Sequence, residues 1–277
     1  MTDPTAQLAR IADVLERLIP QRTEPDWCGF PAYVRDERGG RGIARLEAPD
    51  LDLLRGIEAQ KRLVATNVAR LAQGHAAHDM LLWGARGMGK SALARAAVKA
   101  AQALHPGRIA LVQVAPDALA GLAGLFTTLG QIDRNFLVFI DDLGFAEDDS
   151  SGPRQLRSWL EGGVEARPAN VRLAVTANRR AIVPRHAAEQ DDPINPRDAV
   201  DDKLALADRF GLSIGFHACS QDDYIEIIIS YAEHYGLHYD AGEALEWASR
   251  RGARSGRSAW QYITELAGRS GKALQPA

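Results

Sequence analysis

Residues 84–91 read Gly84-Ala85-Arg86-Gly87-Met88-Gly89-Lys90-Ser91 and indicate the architecture of the chain around them. It matches G-x-x-x-x-G-K-[ST] in full, a pattern whose glycines let successive backbone N–H groups surround a phosphate chain. Apolar residues 80–83 before it predict a short buried strand, and residues 90–104 after it predict a helix. A Gly-rich turn without a ligand is the plain alternative. The strand–helix context favours a phosphate-binding loop, to which the helix N-terminus adds positive potential.

The residue types in this loop predict how a nucleotide would be held. We expect the Lys90 ammonium to reach the β- and γ-phosphates and the Ser91 hydroxyl to ligate Mg²⁺. The other residues of the loop and the first helical turn that we predict to contact the nucleotide are Arg86, Gly87, Met88, Gly89 and Ala92.

Short apolar runs alternate with helical patterns on both sides of the loop. Further strands are predicted at 109–114, 136–140, 171–175 and 212–216, and helices at 58–73, 116–129 and 155–161. Strands apolar on both faces that alternate with helices indicate a parallel sheet covered by helices, hence a three-layer α/β core. After residue 216 only helical patterns follow, at 222–235, 241–249 and 257–266. They predict a small all-helical C-terminal domain.

The residues before the core have no such alternation. Apolar side chains at helical spacing predict a helix over 7–19, and residues 21–49, broken by Pro25, Pro31 and a Gly-Gly pair, predict an irregular arm. We therefore divide the chain into an N-terminal helix and arm (1–49), an α/β core (50–218) and a helical lid (219–277). The N-terminal helix is equally suited to docking a partner helix and to covering the core.

Polar side chains follow two of the predicted strands. Asp141 and Asp142 come directly after the fully apolar run 136–140, which places two carboxylates at the edge of the sheet beside the loop. We expect Asp141 to hold magnesium, directly or through water, and Asp142 to orient or deprotonate the water that attacks the γ-phosphate. Asn178 follows the next strand and is suited to positioning that water. A solvated acidic turn and an ordinary turn asparagine are the alternatives.

These motifs, in this order, resemble those of the AAA+ ATPases. The order comprises the phosphate loop, the acidic strand, the polar strand tip, Asp208-Arg209-Phe210 and the helical end of the chain. More narrowly, the chain is similar to a bacterial single-module AAA+ family still labelled a domain of unknown function. That closer likeness runs from about residue 30 to about residue 266 and rests on segments 54–61, 82–87, 141–143, 160–163, 178–180 and 254–257.

The resemblance implies an ATP-binding AAA+ core with a helical lid and adds three residue roles. Ile57 resembles the residue that packs against adenine. Arg209 resembles an arginine finger that reaches the ATP of a neighbouring subunit, which implies an oligomer. Arg257 resembles the lid arginine that contacts the γ-phosphate within its own subunit. Each would bring a guanidinium to charge that develops in the transition state. For both arginines, a surface ion pair is the alternative.

The chain departs from the wider class at two places. Most AAA+ ATPases have Glu where this chain has Asp142, and the shorter carboxylate predicts slow or partner-dependent hydrolysis. Where unfoldases carry an aromatic pore loop, this chain has Leu125-Phe126-Thr127-Thr128. Phe126 is expected in the core, as are Trp159, Trp247, Trp260 and Tyr262 on their helical patterns. Threading of a polypeptide is therefore disfavoured.

Composition limits the remaining possibilities. The 277 residues include 46% hydrophobic and 25% charged side chains, two cysteines and a net charge of −3. No apolar run is long enough for a membrane span, and charges interrupt the first twenty residues where a signal peptide would be apolar. We therefore expect a cytoplasmic protein that does not contact membranes. The balanced charge gives no support for nucleic-acid binding.

Three functions remain open at this stage. The first is a Mg-ATP-dependent ATPase that hydrolyses ATP at subunit interfaces of a homo-oligomer and drives a conformational change in an unidentified client protein. The second is an ATP-dependent switch or assembly factor with little intrinsic hydrolysis. The third is a DNA-associated ATPase similar to the helicase loaders.

Overall fold

One sheet organises the α/β part of the molecule. The computed structural model describes residues 24–144, 160, 167–178 and 208–274. The strands are β1 (Ala32–Asp36), β2 (Gly39–Ile43), β3 (Met80–Gly84), β4 (Ile109–Val114), β5 (Asn135–Ile140), β6 (Val171–Ala177) and β7 (Leu212–Phe216). Their order across the sheet is β2-β1-β4-β5-β6-β3-β7. All neighbouring pairs are parallel except β1 and β2, which confirms the predicted parallel core.

Helices follow most of the predicted patterns. They are α1 (Glu58–Ala72), α2 (Lys90–Leu104), α3 (Leu122–Gly130), α4 (Gln221–Tyr235), α5 (Ala241–Arg250) and α6 (Gly256–Arg269). The single helix predicted over 116–129 is wrong in part, because Pro116–Gly121 forms a tighter 3₁₀ segment before α3. The predicted helices 7–19 and 155–161 lie outside the described residues, apart from residue 160. Of the helices described, none is long and apolar enough to cross a bilayer.

The core has two halves, one on each face of the sheet. Successive strand residues alternate between faces, so Met80 and Leu82 of β3 join one buried cluster and Leu81 joins the other. The first cluster contains α1, α2 and the three C-terminal helices, and the second contains α3 and the residues around Trp27. Phe126 and Tyr262 are buried, as predicted. The C-terminal helices therefore share a continuous core with the face of the sheet that α1 and α2 cover.

The prediction of an irregular arm is wrong for residues 32–43. They form the hairpin β1–β2, which extends the sheet because β1 pairs with β4. The glycines of β2 leave it without the apolar run that predicts a strand. Glycine is needed there because neighbouring rings pack against the backbone: a Cβ on Gly42 would lie 2.2 Å from the ring of Phe30. The boundary predicted at residue 50 thus separates strands of one sheet. The boundary at 219 falls between β7 and α4.

Parallel pairing brings three strand ends to one edge. Trp83 of β3 pairs with Ala177 of β6, and Ile140 of β5 pairs with Val175 of β6. The loop after β3, the carboxylates after β5 and the amide after β6 therefore meet at the carboxyl edge of the sheet, where open α/β folds bind their ligands.

Candidate nucleotide site

The loop between β3 and α2 depends on glycine for its shape. Gly84 has φ 125°, and a Cβ there would lie 2.1 Å from the carbonyl oxygen of Phe216 on β7. The adjacent Ala85 N–H donates to that same carbonyl at 2.9 Å. Gly87 and Gly89 also have positive φ, 75° and 82°. Residues other than glycine rarely adopt these backbone conformations, which let the chain turn tightly into α2.

Lys90 is the first residue of α2 and is buried beneath the loop. Its Nζ donates to the carbonyl oxygens of Gly84 and Ala85 at 2.9 and 2.8 Å. Burial lowers the pKa of Lys90; Asp142 and Asp141 oppose that shift, whereas Arg257 and Arg86 reinforce it. An anion in the cleft would relieve this unfavourable environment of the ammonium, which is what a phosphate-binding lysine requires.

Ser91 and Asp141 form the pair predicted to hold magnesium. The Ser91 hydroxyl donates to Asp141 Oδ1 at 2.5 Å, although the two residues are 50 positions apart. Thr176 Oγ1 donates to the same carboxylate oxygen at 2.7 Å. Hydroxyl and carboxylate oxygens are the donors that Mg²⁺ prefers. The residues present therefore fit a magnesium ion, which would be held by Ser91 and Asp141.

Asp142 and Asn178 lie beside this pair. The Asn178 side-chain amide donates to Asp142 Oδ1. Asp142 has φ 52°, and it is the only non-glycine residue with positive φ in the part of the chain that the structure describes. Aspartate tolerates this left-handed conformation better than most residues, and such outliers cluster at functional sites. The structure thus brings together the two residues predicted to handle water.

The C-terminal helices close the cleft from the opposite side. Arg257, in the first turn of α6, donates its backbone N–H to the Gly87 carbonyl at 3.1 Å. A Cβ on Gly87 would lie 2.9 Å from Ser255 Oγ, so glycine permits this close approach. Ser255 caps α6 by accepting from the Ser258 N–H. The helix N-terminus and the phosphate loop are therefore in direct contact, and the Arg257 side chain lines the cleft.

The cleft has a volume of about 760 Å³, and apolar residues such as Leu53 form part of its lining. Ile57, predicted to pack against a base, lines it, and so do all the predicted residues of the loop. Trp260, predicted in the core, is half-buried and lines the cleft instead, 5.2 Å from the ring of Tyr231. Further lining residues, which have no role predicted from the sequence, include Glu47, Arg95, Thr176, Ile227 and Tyr231. They carry no local motif, because folding alone brings them to the loop.

Arg209 is not among the residues that line the cleft. It comes just before β7, whose first residue, Leu212, donates its N–H to Asp79 at the start of β3. The phosphate loop follows the other end of β3. A five-residue strand spans roughly 16 Å at ~3.3 Å per residue, so Arg209 and the loop lie at opposite edges of the sheet. Within one chain, the structure does not bring Arg209 to Lys90.

The fold and the site are those of a P-loop protein with the AAA+ fold. The chain belongs to the family described as Protein of unknown function (DUF815), whose sequence model matches residues 30–270. The predicted resemblance is thereby confirmed. No curated protein matches the chain in sequence.

Similar solved structures support the assignment of the fold. RuvB of Thermotoga maritima, a Holliday junction branch migration motor, is 19% identical with a TM-score of 0.54, covering 82% of this chain and 68% of RuvB. ORC1 of Aeropyrum pernix, solved in complex with DNA, is 17% identical with a TM-score of 0.53, covering 84% and 68%. ORC2 of Aeropyrum pernix, solved as ADPNP–ADP complexes, is 16% identical with a TM-score of 0.52, covering 83% and 67%.

Proposed function

We propose that this chain binds Mg-ATP in the cleft and hydrolyses it at sites completed between subunits of a homo-oligomer. The observation that carries the proposal is the 2.5 Å hydrogen bond between Ser91 and Asp141. It joins the end of the phosphate loop to the end of the acidic strand. One site therefore offers hydrogen-bond donors for phosphate oxygens together with a pair of magnesium ligands.

The loop and Lys90 bind the phosphates in this proposal. Lys90 exchanges its hydrogen bonds to the Gly84 and Ala85 carbonyls for phosphate oxygens, a stronger charge-assisted interaction. Magnesium, when bound by Ser91 and Asp141, neutralises charge on the phosphates. The apolar part of the cleft lining, which includes Ile57, accepts the adenine.

Asp142 and Asn178 act on water in this proposal. The Asn178 amide orients the attacking water, and Asp142 accepts its proton as the bond to the γ-phosphorus forms. Their mutual hydrogen bond keeps both side chains at the same side of the cleft. Arg257 approaches the γ-phosphate from the lid of the same chain and stabilises charge in the transition state.

Arg209 acts on a neighbouring subunit in this proposal. Its place at the opposite edge of the sheet prevents it from reaching the nucleotide of its own chain, whereas a head-to-tail contact presents that edge to the cleft of the next copy. Hydrolysis then depends on assembly, and the resulting movement of the lid against the core acts on a client protein.

The proposal is tested by nucleotide affinity and by ATPase rate. We expect Lys90→Ala to abolish ATP binding and hydrolysis. Lys272→Ala, which removes an ammonium that donates to the Tyr235 and Gly236 carbonyls, should leave both unchanged. We also expect the wild-type rate per subunit to rise with protein concentration. Unchanged ATP affinity in Lys90→Ala would contradict the assignment of the site.

A nucleotide-dependent switch with little hydrolysis is the second candidate. The shorter carboxylate of Asp142, already engaged by Asn178, favours it. Single-turnover measurements separate the two candidates: decay of bound ATP within seconds in the protein alone supports the ATPase, and persistence of bound ATP supports the switch. The DNA-associated alternative draws only on likenesses of 16–19% identity, which speak for the fold.

A further inference from the structure

The Thr176 hydroxyl links the side chain of Asp141 to the backbone of Asp142, the two acidic residues that the proposed reaction uses. It donates to Asp141 Oδ1 at 2.7 Å and accepts the Asp142 backbone N–H at 2.7 Å. The residue is 1% exposed, near the carboxyl end of β6, an internal strand of the sheet. Thr176 also accepts the Leu143 N–H through its backbone carbonyl at 2.8 Å. One residue thus binds three successive residues of the turn after β5.

The direction of these hydrogen bonds is fixed by chemistry. A backbone N–H only donates, so the Thr176 oxygen is the acceptor from Asp142. An ionised carboxylate only accepts, so the single hydroxyl hydrogen is committed to Asp141. The hydroxyl is therefore fully used by the site and has no other hydrogen to donate.

Each bond places a group that the reaction needs. Two hydroxyls, from Ser91 and Thr176, converge on Oδ1 of Asp141 and fix the rotamer of the proposed metal ligand. The bond to the Asp142 N–H holds that residue at φ 52°, the backbone conformation from which its carboxylate reaches Asn178. Loss of the hydroxyl would remove a hydrogen bond from both groups at once, leaving Asp141 with the bond from Ser91.

We infer that Thr176 is a positioning residue that couples the magnesium-binding carboxylate to the water-activating carboxylate. The inference rests on the proposed function. Thr176 would then act as a group that hydrogen-bonds to a metal ligand and not to the metal itself. Loss of such a hydrogen-bond partner typically costs about 10–100-fold in metal affinity or activity.

The test compares Thr176→Val, which keeps the shape and the backbone bond to Leu143 but removes the hydroxyl, with Thr176→Ser, which keeps the hydroxyl. Thr127→Val is the matched control, because the exposed Thr127 hydroxyl on α3 donates to a carbonyl one turn back, that of Ala123. The measurements are kcat, ATP affinity without Mg²⁺, and the Mg²⁺ concentration that gives half of the metal-dependent gain in ATP affinity.

We expect Thr176→Val to lower kcat at least about 10-fold and to raise the Mg²⁺ requirement about 10-fold. Metal-free ATP affinity should stay within about twofold, because the phosphate loop is untouched. Thr176→Ser should restore most of both losses, and Thr127→Val should match the wild type.

Two results would overturn the inference. One is a Thr176→Val protein whose kcat and Mg²⁺ requirement both match the wild type. The other is equal loss of metal-free ATP binding in the Val and Ser variants, which would make Thr176 a packing residue. If the wild type binds but does not hydrolyse ATP, the proposed hydrolysis fails on its own, and the Mg²⁺ requirement still decides the role of Thr176.

Discussion

Single residues at this site are constrained by atoms that lie far away in sequence. Gly84 faces the Phe216 carbonyl, whereas Gly74 has a similar left-handed backbone, φ 75°, and open space around it. We expect Gly74→Ala to cost about 1 kcal/mol of unfolding free energy from backbone strain alone. Gly84→Ala should cost several times more, because backbone atoms must also move. Denaturant unfolding of both variants measures the difference, and equal losses would contradict the contact.

The two cysteines should differ in reactivity at the same scale. Cys28 is exposed, whereas burial raises the pKa of the Cys219 thiol to about 11. Because the thiolate is the reactive form, Cys219 stays protonated and unreactive at pH 8 and gains reactivity only as the pH approaches that value. We expect an alkylating reagent at pH 8 to modify one thiol per chain in the native state and two in denaturant. A Cys28→Ser protein that still reacts quickly would contradict this.

At the scale of elements, the N-terminus of α6 serves both the lid and the phosphate loop. Ser255 caps this helix and also contacts Gly87, while Asp240 caps α5 away from the cleft. Replacing either cap by Ala should lower the unfolding free energy by about 1 kcal/mol.

Only the Ser255→Ala change should also weaken ATP binding, since it frees the start of α6, including Arg257, from its place against the loop. Thermal unfolding and nucleotide titration of the two variants make the comparison. Equal ATP affinity in both would show that the loop does not depend on the cap of α6.

At the scale of the whole molecule, the separation of Arg209 from the cleft predicts complementation between subunits. Arg209→Ala chains keep an intact cleft, and Lys90→Ala chains keep an intact arginine. We expect each variant alone to be inactive and a mixture of the two to recover part of the ATPase rate, because some interfaces then combine an intact cleft with an intact Arg209.

The control is a mixture of Arg209→Ala chains with chains that carry both substitutions, which offers no complete interface. Recovery in the first mixture alone supports sites shared between subunits. An active Arg209→Ala protein, or no recovery in any mixture, would contradict that arrangement.

The motif residues of the candidate site can be found from the sequence alone. The residues from Gly84 to Ser91, the acidic pair after β5 and the amide after β6 are local signals, because each needs only its own strand and the residues next to it. The alternation of apolar strands and helices likewise predicted five of the seven strands in the described part of the chain, since burial on both faces leaves a continuous apolar run.

Other features of the fold and of the cleft depend on contacts between residues far apart in the sequence, and they follow only from the tertiary structure. The strands of residues 32–43 have no recognisable sequence pattern, because their glycines leave room for the rings of Pro25 and Phe30. The segment before them is held by Arg134, about a hundred residues away, which donates to the carbonyls of Trp27 and Phe30. From the sequence, Thr176 and Trp260 are expected to be ordinary core residues. Only the packing of β6 beside β5 and of the lid against the loop places them at the cleft. A motif can be recognised from neighbouring residues in the sequence. Hydrogen-bond partners and the residues that line a cleft depend on tertiary packing, because packing brings together residues that are far apart in the sequence.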